Sequence, residues 1–237
     1  MKRFALCVII GAVLGCDMPQ NLRIPDDDTR SIIGISVSVK LYNALPKKQT
    51  SVYFVKLDEK GENNLGTKII PCNYYRGNMV GGYYAFLVNA EPGRYAAVCS
   101  TKYDRYTASG HPDTTSKVDE VGFITFFDAD MIKKTVVDVG PGEIAFMGSY
   151  AVESRLRSVY KNIEKNGDGA QQHYYNLLKS SMDGTYYCGA VQKADRSDKS
   201  TREFLVKSKS YFRNSDWLNI INATISALDK AAEGKMI

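Results

Sequence analysis

The chain contains 237 residues, of which 44% are hydrophobic and 24% are charged, and its formal net charge is +5. This composition excludes a polytopic membrane protein, a collagen-like chain and a wholly disordered chain. The excess of positive charge is too small to indicate nucleic-acid binding, so no nucleic acid is expected among the partners.

The N-terminal residues have the pattern of an export signal. Lys2 and Arg3 precede an uncharged run at residues 4–14. A transmembrane helix needs about 20 apolar residues, so this run is too short to be a stable anchor. Its length and its basic start are typical of a signal peptide.

The end of this run indicates which kind of signal it is. Residues 13–16 read Val-Leu-Gly-Cys and resemble the bacterial lipobox, in which an apolar residue and a small residue precede a cysteine. The resemblance implies that residues 1–15 are a lipoprotein signal peptide and that Cys16 becomes an N-terminus acylated with palmitate-type chains. Two or three such chains hold a protein on a bilayer almost permanently. We therefore expect the protein to be anchored in the bacterial cell envelope, on either face of the outer membrane. A plain secreted protein is the alternative.

Residues 16–30 are expected to form a flexible tether between the lipid and the folded domain. They contain Pro19, Pro25 and few apolar residues, a composition that does not build a core. The acidic run at residues 26–28 lacks the alternate spacing, the glycine and the final glutamate of a calcium-binding loop. It is therefore interpreted as a solvated acidic linker, and no metal site is predicted.

Residues 31–150 show the pattern of an all-β region. Apolar residues alternate with small or polar ones from Ile33 to Leu41, which is typical of a strand with one buried face. Pro-Gly and Gly-Gly pairs separate further segments of this kind and suit tight reversals. The predicted strands are residues 33–41, 51–57, 67–72, 83–90, 94–101, 121–127, 135–139 and 144–152.

Residues 151–237 change to a helical period. Helices are predicted at residues 156–163, at 170–182, after a capping box formed by Ser200 and Glu203, and from Trp217 onward. Residues 183–199 are interpreted as a loop that includes a short strand at 186–191.

The expected fold is α+β: an antiparallel β-sandwich of about eight strands, followed by a C-terminal helical region packed on it. Neighbouring residues of a strand point to opposite faces, so Tyr83 and Tyr84 place one aromatic ring on each side of their sheet. We expect the C-terminal helices to cover the outer ring; an exposed aromatic binding patch is the alternative.

Two short motifs carry a resemblance to a known family. Residues 82–88 followed by Pro92-Gly93-Arg94-Tyr95 resemble the turn of transthyretin-like (prealbumin-like) bacterial sandwich domains, and residues 137–148 repeat the theme around Pro141-Gly142. These strand–turn–strand units and the helix at Trp217 are similar to small lipoproteins of spirochaetes and other bacteria. The resemblance implies an envelope lipoprotein and specifies no reaction.

The sequence contains little that indicates catalysis. His111 precedes a proline in a polar stretch and His173 falls on a predicted helix, and no spacing makes them metal ligands. Ser158 and Lys161 match the S-x-x-K pattern of penicillin-binding serine enzymes, but the partner motifs are missing. We interpret both as part of a solvated helix face, and we predict no enzyme and no cofactor.

Three cysteines remain after Cys7 leaves with the signal and Cys16 is acylated: Cys72, Cys99 and Cys188. Disulfides persist in exported proteins, so a Cys72–Cys99 bond is one interpretation. Cys99 fits a small buried apolar residue equally well, and we favour free thiols.

The sequence therefore predicts a lipid-anchored bacterial envelope protein with a binding or structural role, held on a membrane through Cys16 and meeting a protein partner in the envelope. The alternatives are a carrier of a small apolar ligand with a pocket of tyrosines and a serine hydrolase that uses Ser158 or a triad without a local sequence motif.

Overall fold

A computed structural model describes residues 30–40, 47–48, 51–57, 65–78, 82–107, 118–155 and 162–234. The signal peptide, Cys16 and the tether up to residue 29 lie outside these residues. The predicted helix at 156–163 lies mostly outside them as well.

The described chain forms eleven strands and five helices. The strands are β1 (Ser31–Lys40), β2 (Lys47–Lys48), β3 (Ser51–Leu57), β4 (Ile69–Pro71), β5 (Tyr74–Asn78), β6 (Gly82–Ala90), β7 (Gly93–Thr107), β8 (Val118–Phe127), β9 (Val137–Val139), β10 (Ile144–Arg155) and β11 (Thr185–Asp195). The helices are α1 (Ala129–Thr135), α2 (Asn162–Asn166), α3 (Gly169–Leu178), α4 (Asp198–Tyr211) and α5 (Trp217–Gly234).

The sheet is mixed, so the predicted antiparallel sandwich is wrong. Its order is β4-β3-β7-β8-β11-β10-β1-β6-β5, with β2 paired to β1 and β9 paired to β7. The pairs β1–β10 and β8–β11 are parallel, and the sheet curls into a half-barrel. Hydrophobic alternation locates a strand and its buried face, but it carries no information about which strand lies beside it.

The strand β11 is central to this arrangement. It lies between β8 and β10, although it comes from the segment interpreted as a loop with a short strand. The strand β10 also continues past residue 150. The C-terminal segment therefore contributes to the sheet itself, in addition to the helices that pack on it.

The two Pro-Gly turns do not make hairpins. The turn before Gly93 joins β6 to β7, but β6 pairs with β1 and β5 while β7 pairs with β3, β8 and β9. The turn at Pro141 joins β9 to β10, which are also not neighbours in the sheet. A turn residue fixes the local reversal of the chain, and the partners of the flanking strands are decided by packing.

A two-residue corner joins the outermost strands β4 and β5. The Cys72 N–H donates to the Val52 carbonyl of β3 at 2.8 Å, and the Asn73 N–H donates to the Phe86 carbonyl of β6 at 3.0 Å. The Asn73 side chain also donates to the Val88 carbonyl and accepts from the Val88 N–H. The chain thus passes from one edge of the curled sheet to the other.

One hydrophobic core includes residues from strands that are distant in sheet order. On β1 it takes every second residue, from Ile33 to Val39, and it joins them to Phe54 of β3 and to Phe126 of β8. Helices α1, α2 and α3 complete it with Met131, Ile132, Ile163, Ala170, Tyr174 and Leu178. The curled sheet brings these strands to a common interior.

A second core lies on the opposite face of β1 and β6. Ile32, Phe86 and Phe146 from the sheet pack there against Phe204 of α4 and Trp217 of α5. Tyr84 belongs to this core, with its ring 5.3 Å from that of Phe204. The prediction that the C-terminal helices cover one face at Tyr84 is confirmed, and β1 is buried on both sides.

Helix α4 begins earlier than the sequence predicts. Its N-cap is Ser197, whose hydroxyl accepts from the Ser200 N–H at 3.2 Å, so the capping box at Ser200 and Glu203 is wrong. Asp128 caps α1, a helix that the sequence does not indicate. At only seven residues, α1 is too short for a helical period to show.

We expect Thr125→Val to raise the free energy of unfolding by about 1–2 kcal/mol. The Thr125 side chain is buried at 1% exposure, and its hydroxyl has no hydrogen-bond partner among the described residues, which costs the desolvation of a polar group. Valine removes this cost and keeps the methyl group beside Gly189.

Thr135→Val is the matched control for this substitution. The Thr135 hydroxyl is also buried, but it accepts from the Ala97 N–H at 3.0 Å and donates to the Ile132 carbonyl at 2.8 Å. This variant should therefore lose stability in the same urea titration. If the urea midpoints of Thr125→Val and Thr135→Val shifted equally and in the same direction, the buried Thr125 hydroxyl would carry no cost in folding free energy.

Candidate functional site

The two Pro-Gly turns and the start of β1 meet at one end of the sheet. The Gly142 N–H donates to the Arg30 carbonyl and the Ile32 N–H donates to the Glu143 carbonyl, both at 2.9 Å. Gly93 lies opposite Val139 in the β7–β9 pair. We call this end the turn rim, and its charged residues are Arg30, Lys56, Lys68, Glu91, Arg94, Asp138 and Glu143.

Three cations surround one carboxylate on the turn rim. The Glu91 carboxylate lies 2.9 Å from Lys56 Nζ, 3.7 Å from the Arg30 guanidinium and 3.8 Å from Lys68 Nζ. The hydrogen bond from Lys56, followed by the charges of Lys56, Lys68 and Arg30, lowers the pKa of Glu91 below its usual value. This corner of the rim therefore carries an excess of positive charge.

The backbone beneath this corner is held by Tyr95. Its hydroxyl donates to the Glu91 carbonyl at 2.8 Å, and Lys56 Nζ lies 6.0 Å from the centre of its ring. Burial raises the pKa of Tyr95 to about 12. Gly93 has φ of +147°, and a Cβ there would lie 2.8 Å from Lys56 Cε, so no other residue fits without strain.

Beside the cationic corner lies an open cleft of about 480 Å³. It is lined by Gly93, Arg94, Asp138, Val139, Gly140 and Glu143. The Glu143 carboxylate accepts from the Gly140 N–H at 2.7 Å, which fixes it over the turn. Arg94 Nε is 3.9 Å from the Asp138 carboxylate in register across β7 and β9.

The chemistry of the turn rim is that of charge recognition. It presents guanidinium, ammonium and carboxylate groups on a turn scaffold. The pKa of the Tyr95 phenol is raised rather than lowered, so that group is not prepared to act as a base near neutral pH. Within the described part of the chain, no group of three or more His, Cys, Asp or Glu side chains could hold a metal ion.

Several predicted site residues lie outside the described residues: Cys16, His111, Ser158 and Lys161. The structure does place His173, whose Nε2 is 3.0 Å from the Gly66 carbonyl and whose ring meets Tyr174 edge to face. Its role there is to hold the segment before β4 against α3.

The structure places Cys72 and Cys99 on opposite sides of β3. Cys72 adjoins Val52, while Cys99 is in register with Tyr53 across the other edge of that strand. Two strand spacings of about 4.8 Å separate such positions, and a disulfide needs Cα atoms within about 7 Å. In the part of the chain that the structure describes, Cys72, Cys99 and Cys188 form no disulfide with one another, and burial raises the pKa of Cys99 well above its usual value.

The tyrosine doublets pack against other rings. Tyr74 contacts Phe86 and Phe212, and Tyr75 stacks on Tyr83 with ring centres 5.7 Å apart. Tyr174 is fully buried. These described rings therefore pack against other side chains, whereas an apolar carrier would need them to line an empty cavity.

The sequence did not single out Arg94, Asp138 or Glu143 as site residues. Arg94 follows one Pro-Gly turn, and the two acidic residues flank the other. The signal that could have found them was therefore present in both turn motifs. The sequence does not show that β7 pairs with β9, and this pairing is what brings the two turns together.

Comparison with models of known protein families, with curated proteins and with solved structures gives no match. The resemblance to transthyretin-like envelope lipoproteins, which rests on short turn motifs, stays a prediction. Among the residues described here, none of the helices combines the length and the apolar character needed to cross a bilayer.

Proposed function

We propose that the protein is a lipid-anchored protein of the bacterial cell envelope that acts by binding or as a structural component, without catalysis. The observation that carries this proposal is the N-terminal pattern: basic residues, a short apolar run and the lipobox-like sequence ending at Cys16. Acyl chains on that thiol would hold the domain on the outer membrane.

The position of the first strand supports an anchor on this side of the domain. The tether enters at Arg30, directly before β1, and β1 is buried between two cores. Fourteen residue steps separate Cys16 from Arg30, which is at most about 50 Å of fully extended chain. A lipid on Cys16 would therefore keep the turn rim, to which Arg30 belongs, within that distance of the bilayer surface.

The turn rim also supports a binding role over a purely passive one. Its charged side chains are in part exposed, with 49% for Arg94 and 83% for Asp138. It combines a cationic corner with a cleft that contains carboxylates. A protein partner in the envelope, or a smaller charged ligand, could engage it through charge-assisted hydrogen bonds.

Metabolic labelling with a palmitate analogue tests the anchor. The full-length protein should incorporate the label, and Cys16→Ala should abolish it, because the acylated thiol is missing. Cys7→Ala is the matched control: it removes a cysteine from the same N-terminal region, and it should leave the label in place.

Mass spectrometry of the native protein gives an independent measurement. A mature chain that begins at Cys16 with added acyl mass is expected. An unmodified polypeptide that retains residues 1–15, or label that persists in Cys16→Ala, would contradict the proposed anchor and with it the envelope location.

A further inference from the structure

We propose that the cleft of the turn rim binds zwitterionic ligands of amino-acid or short-peptide class, with the ligand carboxylate on Arg94 and the ligand ammonium between Asp138 and Glu143. This inference deepens the binding role proposed above. It concerns side chains of the described domain alone, so it does not depend on the lipid anchor.

The charges of the cleft select this class of ligand. Arg94 presents a guanidinium whose Nε is 3.9 Å from Asp138, a loose contact that leaves the other donors of the fork available. Asp138 and Glu143 add two carboxylates to the same lining. The two carboxylates would repel a simple anion, and the guanidinium would repel a simple cation. A zwitterion carries one charge that is complementary to the guanidinium and one that is complementary to the carboxylates.

The shape of the cleft depends on residues that have no side chain. Gly93 and Gly140 form part of the lining. A Cβ at Gly140 would lie 3.1 Å from the Glu143 carboxylate carbon, so a larger residue would shift the group assigned to the ammonium by a few tenths of an ångström. The volume of about 480 Å³ falls within the range of small-ligand sites, roughly 300–1,000 Å³.

Paired strands and a turn set the backbone positions of the three charged residues. Arg94 lies in β7 opposite Asp138 in β9, while Glu143 follows the turn after β9 and is fixed by the Gly140 N–H. Residues held on paired strands and on a hydrogen-bonded turn need little backbone reordering when a ligand enters, which favours binding.

A chemical-shift titration of the 15N-labelled full chain in detergent micelles tests the inference with three peptides. The probes are triglycine, N-acetyl-triglycine, which lacks the ammonium, and triglycine amide, which lacks the carboxylate. Triglycine should shift the amides of Arg94, Asp138, Val139 and Gly140. Each blocked peptide should bind about tenfold more weakly, since each loses one charge-assisted hydrogen-bond set.

Variants assign the two ends of the ligand. Arg94→Gln should weaken triglycine about tenfold and leave triglycine amide unchanged, because that probe has no carboxylate to lose. Asp138→Asn should weaken triglycine and triglycine amide, and it should leave N-acetyl-triglycine unchanged.

A second arginine–aspartate pair provides the matched control. Arg202 and Asp229 are bonded between α4 and α5, with Nε 2.7 Å from Oδ1, and neither residue lines the cleft. Arg202→Gln and Asp229→Asn should leave all three titrations unchanged. Absence of shifts at the cleft, equal shifts from N-acetyl-triglycine, or equal losses in the control variants would overturn the inference, whatever the labelling at Cys16 shows.

Discussion

Phe204→Ala is expected to lower the free energy of unfolding by about 4 kcal/mol, because it removes the centre of the second core. Phe204 is fully buried on α4. Its ring stacks on Phe146 with centres 4.4 Å apart and meets Tyr84 and Phe86 at 5.3 and 5.6 Å. Alanine would leave a cavity among rings that cannot easily move together.

The sheet below Phe204 is fitted to this ring. Gly34 of β1 faces it, and a Cβ at Gly34 would lie 2.4 Å from the ring carbons. The backbone of β1 thus approaches the helix as closely as glycine permits. Because this close packing holds α4 and α5 on the sheet, the variant should also expose the amides of both helices to hydrogen exchange.

Val206→Ala is the control for the same helix. Val206 lies two residues further along α4 and is 44% exposed, so its truncation should change stability by less than about 0.5 kcal/mol. Urea denaturation of both variants gives the comparison. Equal losses would show that helix propensity, and not the second core, determines how α4 contributes to stability.

The sequence predicts single elements well where the local pattern is strong. The bounds of β3 agree with the predicted strand at residues 51–57, and the stripe that begins at Trp217 does form α5. In both cases the apolar period extends over the whole element. Tyr84 also lies under α4 as expected, since strand geometry alone sends adjacent rings to opposite faces.

The partners of the strands could not be predicted in the same way. β1 and β10 are separated by about a hundred residues, yet they lie side by side and parallel. β11 enters the middle of the sheet from a segment rich in charged residues after Val191. Those partners depend on the total packing of the half-barrel, and no window of sequence contains that information.

The same limit applies to the candidate site. Both Pro-Gly turns are visible in the sequence, where they predict tight reversals between strands. The structure instead uses them as crossings between strands that are not neighbours, and it brings Arg94 and Asp138 into register. The candidate site forms only where two turns that are distant in sequence meet. No local sequence pattern marks it, so its charged residues resemble ordinary solvent-exposed side chains in the sequence.

The stability of the domain is expected to fall steeply as the pH rises from about 10 to 12. Burial raises the pKa of Tyr84, Tyr95 and Tyr150 to about 12 in each case. The ordinary tyrosine pKa is about 10, so between these values the unfolded chain releases protons that the folded chain retains. The stabilising contribution is therefore complete below pH 10 and is lost as the pH approaches 12.

Tyr150→Phe isolates one part of this effect. The Tyr150 hydroxyl lies 2.7 Å from the Met147 carbonyl and 2.8 Å from the Lys134 carbonyl, where it links β10 to α1. Its loss should cost about 1 kcal/mol at neutral pH. The same variant should show a shallower decline between pH 10 and 12, because one buried phenol no longer titrates. Urea midpoints measured across this range, for the unchanged protein and for the variant, provide the test. An unchanged slope in Tyr150→Phe would mean that this phenol ionises in the folded state without penalty, and the burial of its ring between β10 and α1 would then be too loose to exclude water.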